Sequence, residues 1–412
     1  HMKFRKNTAA AAMTLFVTAG TLLSATPVLA ANQYTPVAGT STSFDKYLVM
    51  DQEAEVPNVA FSYSIVPGSA KTYDLGGKKF EILAGVGQPT IKGVGTSEAN
   101  TIAFSNGDGS DQASAHAESD LVKNLDTSTS KYAKKTAVID FSSCTFTEPG
   151  VYRYVLTEAG ENQAVTNDED LTRVVDVYVI DDNGSLKVQS YVLHANESDL
   201  IMGGNNGTED IEASEMKPQG FTNVYDTSNL TLRKEVEGNQ ASHDKYFAFT
   251  LKIQDAVPGT VYAVDLTGAD AVSGTNDATI SENEGKTNPA SLTVGTDGSL
   301  EQTFYLQHGQ QVTVQGIAKD TQYTVTENAE DYKAAANTAE APVVTICQGT
   351  ESADTAGVIE SQDLTTGYLN TRQGIIPTGV VMAVSPFAAV TLFGGLGAAT
   401  IVMKRKKEGS EK

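Results

Sequence analysis

Asn183-Gly184 lies between TRVVDVYVI (Thr172 to Ile180) and LKVQSYVL (Leu186 to Leu193), two runs in which apolar and polar residues alternate with a period of two. That arrangement leaves little choice but a β-hairpin: Asn-Gly suits the positive-φ positions of a tight turn, and the alternation gives each strand one face to bury. The same period recurs along most of the chain. FDKYLVMD (Phe44 to Asp51), NVAFSYSIV (Asn58 to Val66), FEILAG from Phe80, TIAF from Thr101, TAVIDFSSCTF from Thr136 and PGVYRYVLTE (Pro149 to Glu158) read as strands, and FTNVY (Phe221 to Tyr225) closes the set. A second set begins with LTLRKEV (Leu230 to Val236) and YFAFTLKI (Tyr246 to Ile253). It continues through VYAVDL, SLTVGTDGSLEQTFYL, QQVTV and TQYTVTE (Thr321 to Glu327) to PVVTIC and GYLNT (Gly367 to Thr371). Polar stretches such as Asn106 to Asp120 and Asn196 to Glu215 read as loops. No stretch shows helical periodicity, so the expected fold is all-β, two sandwiches in tandem that meet near Asp226.

Several polar residues fall on the apolar faces of these strands. Lys46 shares a face with Phe44, Leu48 and Met50, Glu158 with Tyr152, Tyr154 and Leu156, and Asn223 with Phe221 and Tyr225. In the second set Lys234 lies with Leu230, Leu232 and Val236, Glu327 with Tyr323 and Val325, and Asn370 with Tyr368. Each half thus holds the same three residue types in the same order. Burial lowers the pKa of a lysine and raises that of a glutamic acid, so both can be neutral together. A neutral amine is a nucleophile, and a protonated Glu can donate to an Asn carbonyl and shuttle protons. Held in one core, amine and carboxamide react with the advantage of an intramolecular pair. The expected product is a Lys-Asn isopeptide bond with loss of ammonia. The alternative for each half is a satisfied polar core or an ion pair, which alone stabilises poorly. Arg233 cannot replace Lys234, since alternation turns it outward and a guanidinium keeps its proton. Glu158 and Glu327 would each act once, so the chain is not expected to be an enzyme.

The two ends of the chain read as export and anchoring signals. Lys3, Arg5 and Lys6, an apolar stretch from Thr8 to about Ala25, and Val28-Leu29-Ala30 form a secretory signal peptide over residues 1–30, with His1 a cloning remnant. Near the other end, an uncharged run from Val380 to Met403 is long enough to cross a hydrocarbon core of about 30 Å, and Lys404, Arg405, Lys406 and Lys407 mark its cytoplasmic side. IIPTG, Ile375 to Gly379, precedes that run. It resembles the cell-wall sorting signal of Gram-positive surface proteins, in which a sortase cuts between Thr and Gly and passes the Thr carbonyl to an amine. Here that bond is Thr378 to Gly379. The common pattern is Leu-Pro-any-Thr-Gly, whereas Pro377 directly precedes Thr378 here, which leaves the class of sortase open. With 29 Lys plus Arg against 51 Asp plus Glu, the net charge of -22 argues against nucleic acid as a partner. Cys144 and Cys347 are the only cysteines and read as buried free thiols, so disulfides are not expected to lock the domains. The five histidines lack zinc spacing, and no hydrolase elbow or phosphate loop occurs, so no metal or cofactor is expected.

PGVYRYVLTE, TQYTVTE, FTNVY, GYLNT and LTLRKEVEG together make the chain similar to the two-domain backbone pilins of streptococcal type, whose immunoglobulin-like domains, related to Cna B-type repeats, form their own isopeptide bonds. The resemblance covers nearly all of the mature chain. It implies one triad of Lys46, Glu158 and Asn223 and another of Lys234, Glu327 and Asn370. It also implies a signal peptide at 1–30, domains at 31–226 and 227–373, and a sorting signal at 374–412. The function it implies is that of a pilus shaft subunit, exported and attached to the cell wall after transient membrane anchoring. Its partners would be further copies of itself, a pilus-specific sortase, tip and basal pilins, and peptidoglycan. A monomeric wall-anchored adhesin or a basal pilin is the alternative. In the two-domain group the lysine that accepts the neighbour's Thr carbonyl lies shortly before the final Asn of the first domain. Lys217 fits that place, with Lys187 and Lys123 as alternatives.

Overall fold

The computed structural model describes residues 34–375, apart from 76–77, 112–121, 123, 196–219, 269–287, 344–345 and 347–350. The signal peptide, Thr378 and Gly379, the apolar run, Lys217 and Cys347 lie outside the described residues. Among those described, every named element is a strand, and the strands form two sandwiches.

In the first sandwich one sheet runs in the order Ser185–His194, Thr172–Asp182, Gly150–Ala159, Val59–Pro67, Thr101–Phe104, with the hairpin of Lys71–Leu75 and Lys78–Ala84 attached beside Gly150–Ala159. The facing sheet runs Val165–Thr166, Gly220–Tyr225, Ser41–Asp51, Ser130–Asp140, Thr90–Ile91. Inward residues of both meet in one core, where Phe44 and Phe221 from one sheet pack on Tyr63 from the other, ring centroids 5.1 and 5.6 Å from it. Asn183 and Gly184, at φ 57° and 92°, make the tight turn that their sequence calls for.

The second sandwich repeats the plan. One sheet is ordered Ser291–Thr293, Val261–Gly268, Gln310–Ala318, Thr227–Glu237, Leu364–Thr371, Lys333–Ala336, with Glu351–Ser352 also on Leu364–Thr371. The other is ordered Leu300–Leu306, Phe247–Gln254, Gln322–Asn328, Ala356–Val358. Its core is separate and includes Leu230, Leu232, Phe247, Phe249, Val312 and Tyr323.

Both sandwiches pair their opening long strand with their closing strand in parallel, Ser41–Asp51 with Gly220–Tyr225 and Thr227–Glu237 with Leu364–Thr371. Parallel neighbours need a crossover, and here the remainder of each sandwich supplies it. Asp226 alone separates the closing strand of the first from the opening strand of the second. Across this junction Thr227 Oγ1 donates to Asp51 Oδ2 at 2.5 Å and Asn229 Nδ2 to Glu53 Oε2 at 2.7 Å.

Some strands differ from the sequence reading. Phe44 to Met50 is buried on both faces rather than alternating, because Tyr47 and Val49 on the outer face pack under Val122 and Tyr132. TAVIDFSSCTF is two strands, ending at Asp140 and resuming at Thr145, with a turn closed by the Cys144 N–H on Phe141 O. In PVVTIC the described residues Pro342, Val343 and Ile346 belong to no strand. Cys144 is buried and free, and burial pushes its thiol pKa up.

Candidate functional site

The register of the parallel pairs brings the lysine and asparagine of each half together. Lys46 lies opposite Phe221, and Asn223 is two residues further along the same face. In the second half Lys234 lies opposite Tyr368, with Asn370 again two residues on. The glutamates come from the facing sheets. Glu158 pairs with Tyr63 across an antiparallel ladder, and Glu327 pairs in the same way with Phe249.

A close backbone approach makes this register possible. Gly220 sits opposite Asp45, where an added Cβ would lie 1.6 Å from the Asp45 carbonyl oxygen. Gly367 sits opposite Arg233, where a Cβ would lie 1.9 Å from the Arg233 oxygen. Each glycine is three residues before its asparagine, in GFTN and GYLN. The sequence reading missed this repeated Gly-aromatic-any-Asn pattern, which was visible in both halves.

In the first cluster Lys46 Nζ donates to Glu158 Oε2 at 2.6 Å, and Asn223 Nδ2 donates to Glu158 Oε1 at 2.7 Å. Both ionisable side chains are out of water. Asn223 is held at its other atoms too, since Nδ2 reaches Asn167 Oδ1 at 3.2 Å and Oδ1 accepts the Asp168 N–H at 3.3 Å. Asp168 is itself fixed by Arg173, at 2.9 Å, and by the Thr222 N–H, at 2.7 Å. None of Asn167, Asp168, Arg173 or Tyr63 was singled out from the sequence, because their strands and loops converge only in three dimensions. In the second cluster Lys234 Nζ is 2.6 Å from Glu327 Oε1, and Asn370 Nδ2 donates to that oxygen at 3.2 Å. Glu327 Oε2 and Asn370 Oδ1 are buried without hydrogen-bond partners.

Aromatic rings line both lysines. Lys46 Nζ is 3.9 Å from the Phe61 ring centroid, and Lys234 Nζ is 4.4 Å from that of Phe247. Burial in these apolar walls outweighs the attraction of the glutamate and pulls each lysine from 10.5 to about 8. At pH 7 about a tenth of such an amine is neutral, several hundred times the fraction of an exposed lysine. Burial likewise raises the pKa of Glu327, against the opposing pull of Lys234. A proton on Glu327 supplies a donor for the Asn370 carbonyl oxygen once the amide turns that oxygen toward it. Each cluster therefore offers a dry, partly neutral amine beside a carboxamide and a carboxyl group that bridges them, the ingredients of amide transfer. Of the alternative acceptors, Lys187 is exposed on the edge strand Ser185–His194, and Lys123 lies outside the described residues.

Residues 87–226 match a family described as a Spy0128-like isopeptide containing domain, and residues 228–372 match a domain of unknown function (DUF7601). The first match begins downstream of Lys46. A pilin of Streptococcus pyogenes serotype M1 is 26% identical over 386 residues, which span 90% of this chain and 92% of that protein. Among solved structures, the major pilin of Streptococcus pyogenes covers 82% of this chain and 100% of its own at 19% identity and a TM-score of 0.45. The T3.2 major pilin of Streptococcus pyogenes serotype GAS13637 covers 82% and 99% at 18% identity and a TM-score of 0.47. Residues 87–226 are thus similar to an isopeptide-containing domain, and 90% of the chain is similar to a pilin of the streptococcal type.

Proposed function

We propose that the chain is a pilus shaft subunit whose two domains, 31–226 and 227–373, each close an isopeptide bond, Lys46 to Asn223 and Lys234 to Asn370. As a pilin it is a structural subunit of an extracellular pilus. The observation that carries the finer reading is the duplicated geometry: in each half a buried lysine and asparagine, two residues out of step on parallel first and last strands, share one buried glutamate.

The chemistry balances without oxidant or cofactor. A proton moves from the lysine ammonium to the glutamate, and the free amine attacks the asparagine Cγ. The carboxyl group then gives its proton to Nδ2 and takes one from the new amide nitrogen as the Cγ–Nδ2 bond breaks. Ammonia leaves and the carboxyl ends protonated. Intact mass spectrometry of the folded protein tests this directly. The expected mass is that of the sequence less two ammonias, and the unreduced sequence mass would falsify the reading.

Polymerisation is the second part of the proposal. A pilus-specific sortase cuts between Thr378 and Gly379 and passes the Thr378 carbonyl to a lysine of the next copy, with Lys217 as the acceptor. The growing fibre is handed to peptidoglycan and carries tip and basal pilins. The sorting signal at 374–412 supports this route, and the run from Val380 to Lys407 serves as a temporary hold. Detergent-resistant ladders made with the cognate sortase should vanish in both Thr378→Ala and Lys217→Ala. Ladders that persist in Lys217→Ala would reassign the acceptor.

A further inference from the structure

The two clusters share their plan but differ at one matched position. On the strand paired with each glutamate, the residue directly opposite is Tyr63 in the first half and Phe249 in the second. The residue two places earlier is Phe in both, Phe61 and Phe247, and each covers its lysine. On this strand the difference is therefore a single hydroxyl. Tyr63 Oη donates to Glu158 Oε2 at 2.6 Å, the same oxygen that takes the Lys46 ammonium. Its ring is buried between Phe44 and Phe221, so the hydroxyl has little freedom to turn away. In the second half Lys234 and Asn370 both reach Glu327 Oε1, and the other oxygen, Glu327 Oε2, is buried and has no hydrogen-bond partner.

We propose that Tyr63 is a positioning residue for the first crosslink, pinning the Glu158 carboxylate beside Lys46, while Phe249 leaves Glu327 without that hold. The inference rests on the isopeptide reading above and adds a difference between the two bonds. A hydrogen bond to the charged form of a carboxyl group favours that form. The reactive state needs one proton shared between lysine and glutamate, with the amine neutral. On the acid side the rate falls when the glutamate stays protonated while the lysine is charged. That acid limb consequently lies at lower pH where the carboxylate has an extra donor.

The remaining charges preserve the contrast. Around the first cluster stand Lys46, Asp168 and Arg173, with Asp168 and Arg173 paired to each other at 2.9 Å. Around the second stand Lys234, the hydroxyl of Tyr368 and Glu235, the last already engaged by Arg233 at 2.7 Å. The Tyr368 hydroxyl donates to the Val325 carbonyl, so it does not serve Glu327. Tyr63 keeps its own proton because burial and the nearby Glu158 charge raise its pKa well above the usual tyrosine value.

The test uses full-length chain recovered unfolded from inclusion bodies, before any bond has formed. It is refolded by dilution between about pH 4 and about pH 9, a range spanning carboxyl and amine titration. Samples are quenched in denaturant at intervals and digested, and the peptides linking Lys46 to Asn223 and Lys234 to Asn370 are counted separately by mass. In wild type the acid limb of the first bond should lie below that of the second. Tyr63→Phe should raise the first limb by about one pH unit, the scale expected for a hydrogen bond to a charged group, and leave the second in place. Phe249→Tyr should lower the second limb and leave the first in place, so either variant decides even if the other fails to fold. An unmoved limb in a folded variant overturns the role of Tyr63. Absence of both linked peptides from wild type at every pH is a different failure, which overturns the crosslinks themselves and this inference with them.

Discussion

Replacing Asn370 with alanine removes the electrophile of the proposed second crosslink and disturbs little else. Asn370 Oδ1 has no partner and Nδ2 makes one long bond to Glu327, at 3.2 Å. Truncation therefore forfeits about 1 kcal/mol of hydrogen bonding. The Lys234 and Glu327 side chains remain paired at 2.6 Å, so no buried charge is stranded. The covalent loss is larger. A bond from Lys234 to Asn370 closes a loop of roughly 140 residues, and in the chain-entropy treatment of crosslinks such closure contributes about 5 kcal/mol. A domain of this size shifts its melting temperature by roughly 2–4 °C per kcal/mol. The second sandwich of Asn370→Ala should thus melt roughly 10–20 °C below that of wild type. Differential scanning calorimetry measures the shift, with intact mass run on the same samples. Should wild type have lost two ammonias and the variant one, yet both melt together, the loop-closure reasoning is refuted.

Three further outcomes are expected. Glu158→Gln keeps the volume of the side chain but cannot shuttle a proton, so peptide mapping should recover the Lys234 to Asn370 link and not the Lys46 to Asn223 link. Gly220→Ala and Gly367→Ala should each abolish only the crosslink of their own half, read by the same mapping, because the new Cβ collides with the opposing backbone and keeps the closing strand from seating. In Asn370→Ala, Lys234 stays a titrating amine at about 8 when folded against 10.5 unfolded. The unfolded chain binds more protons between those values, so stability rises with pH there. With the proposed bond formed, the same nitrogen in wild type is an amide and does not titrate, so the melting gap between the two proteins should narrow from about pH 8 to about pH 9.5. A gap that stays constant or widens counts against a lysine held neutral by burial.

The inward lysines, glutamates and asparagines were legible in the sequence because a period of two assigns each strand residue to a face. Lys46 beside Phe44 and Leu48, or Asn370 beside Tyr368, needs no knowledge of the partner strand. Periodicity could not reveal which strands lie opposite one another. Tyr63 reads as one more alternating aromatic until its ladder partner is known to be Glu158. Asn167 and Asp168 belong to a loop segment with no pattern at all, and their grip on Asn223 comes from the pairing of Val165–Thr166 with Gly220–Tyr225. The double burial of Phe44 to Met50 was equally hidden, since the residues covering its outer face come from Val122 and Tyr132, far away in sequence. Short edge strands such as Lys333–Ala336, which is exposed throughout and has no alternation, leave no signal to read.

The single residue Asp226 between the two long strands has a mechanical consequence. With both crosslinks in place, a pull applied between Asn223 and the end of the Leu364–Thr371 strand runs along a short covalent path. It passes from Asn223 through Asp226 to Lys234, crosses the second bond to Asn370, and continues outward. Everything from Glu235 to Leu369 hangs beside that path, a contour of about 450 Å at full extension that tension cannot draw out. A cut in the backbone anywhere in that stretch would leave the line of force unbroken, so a nicked subunit would still transmit load.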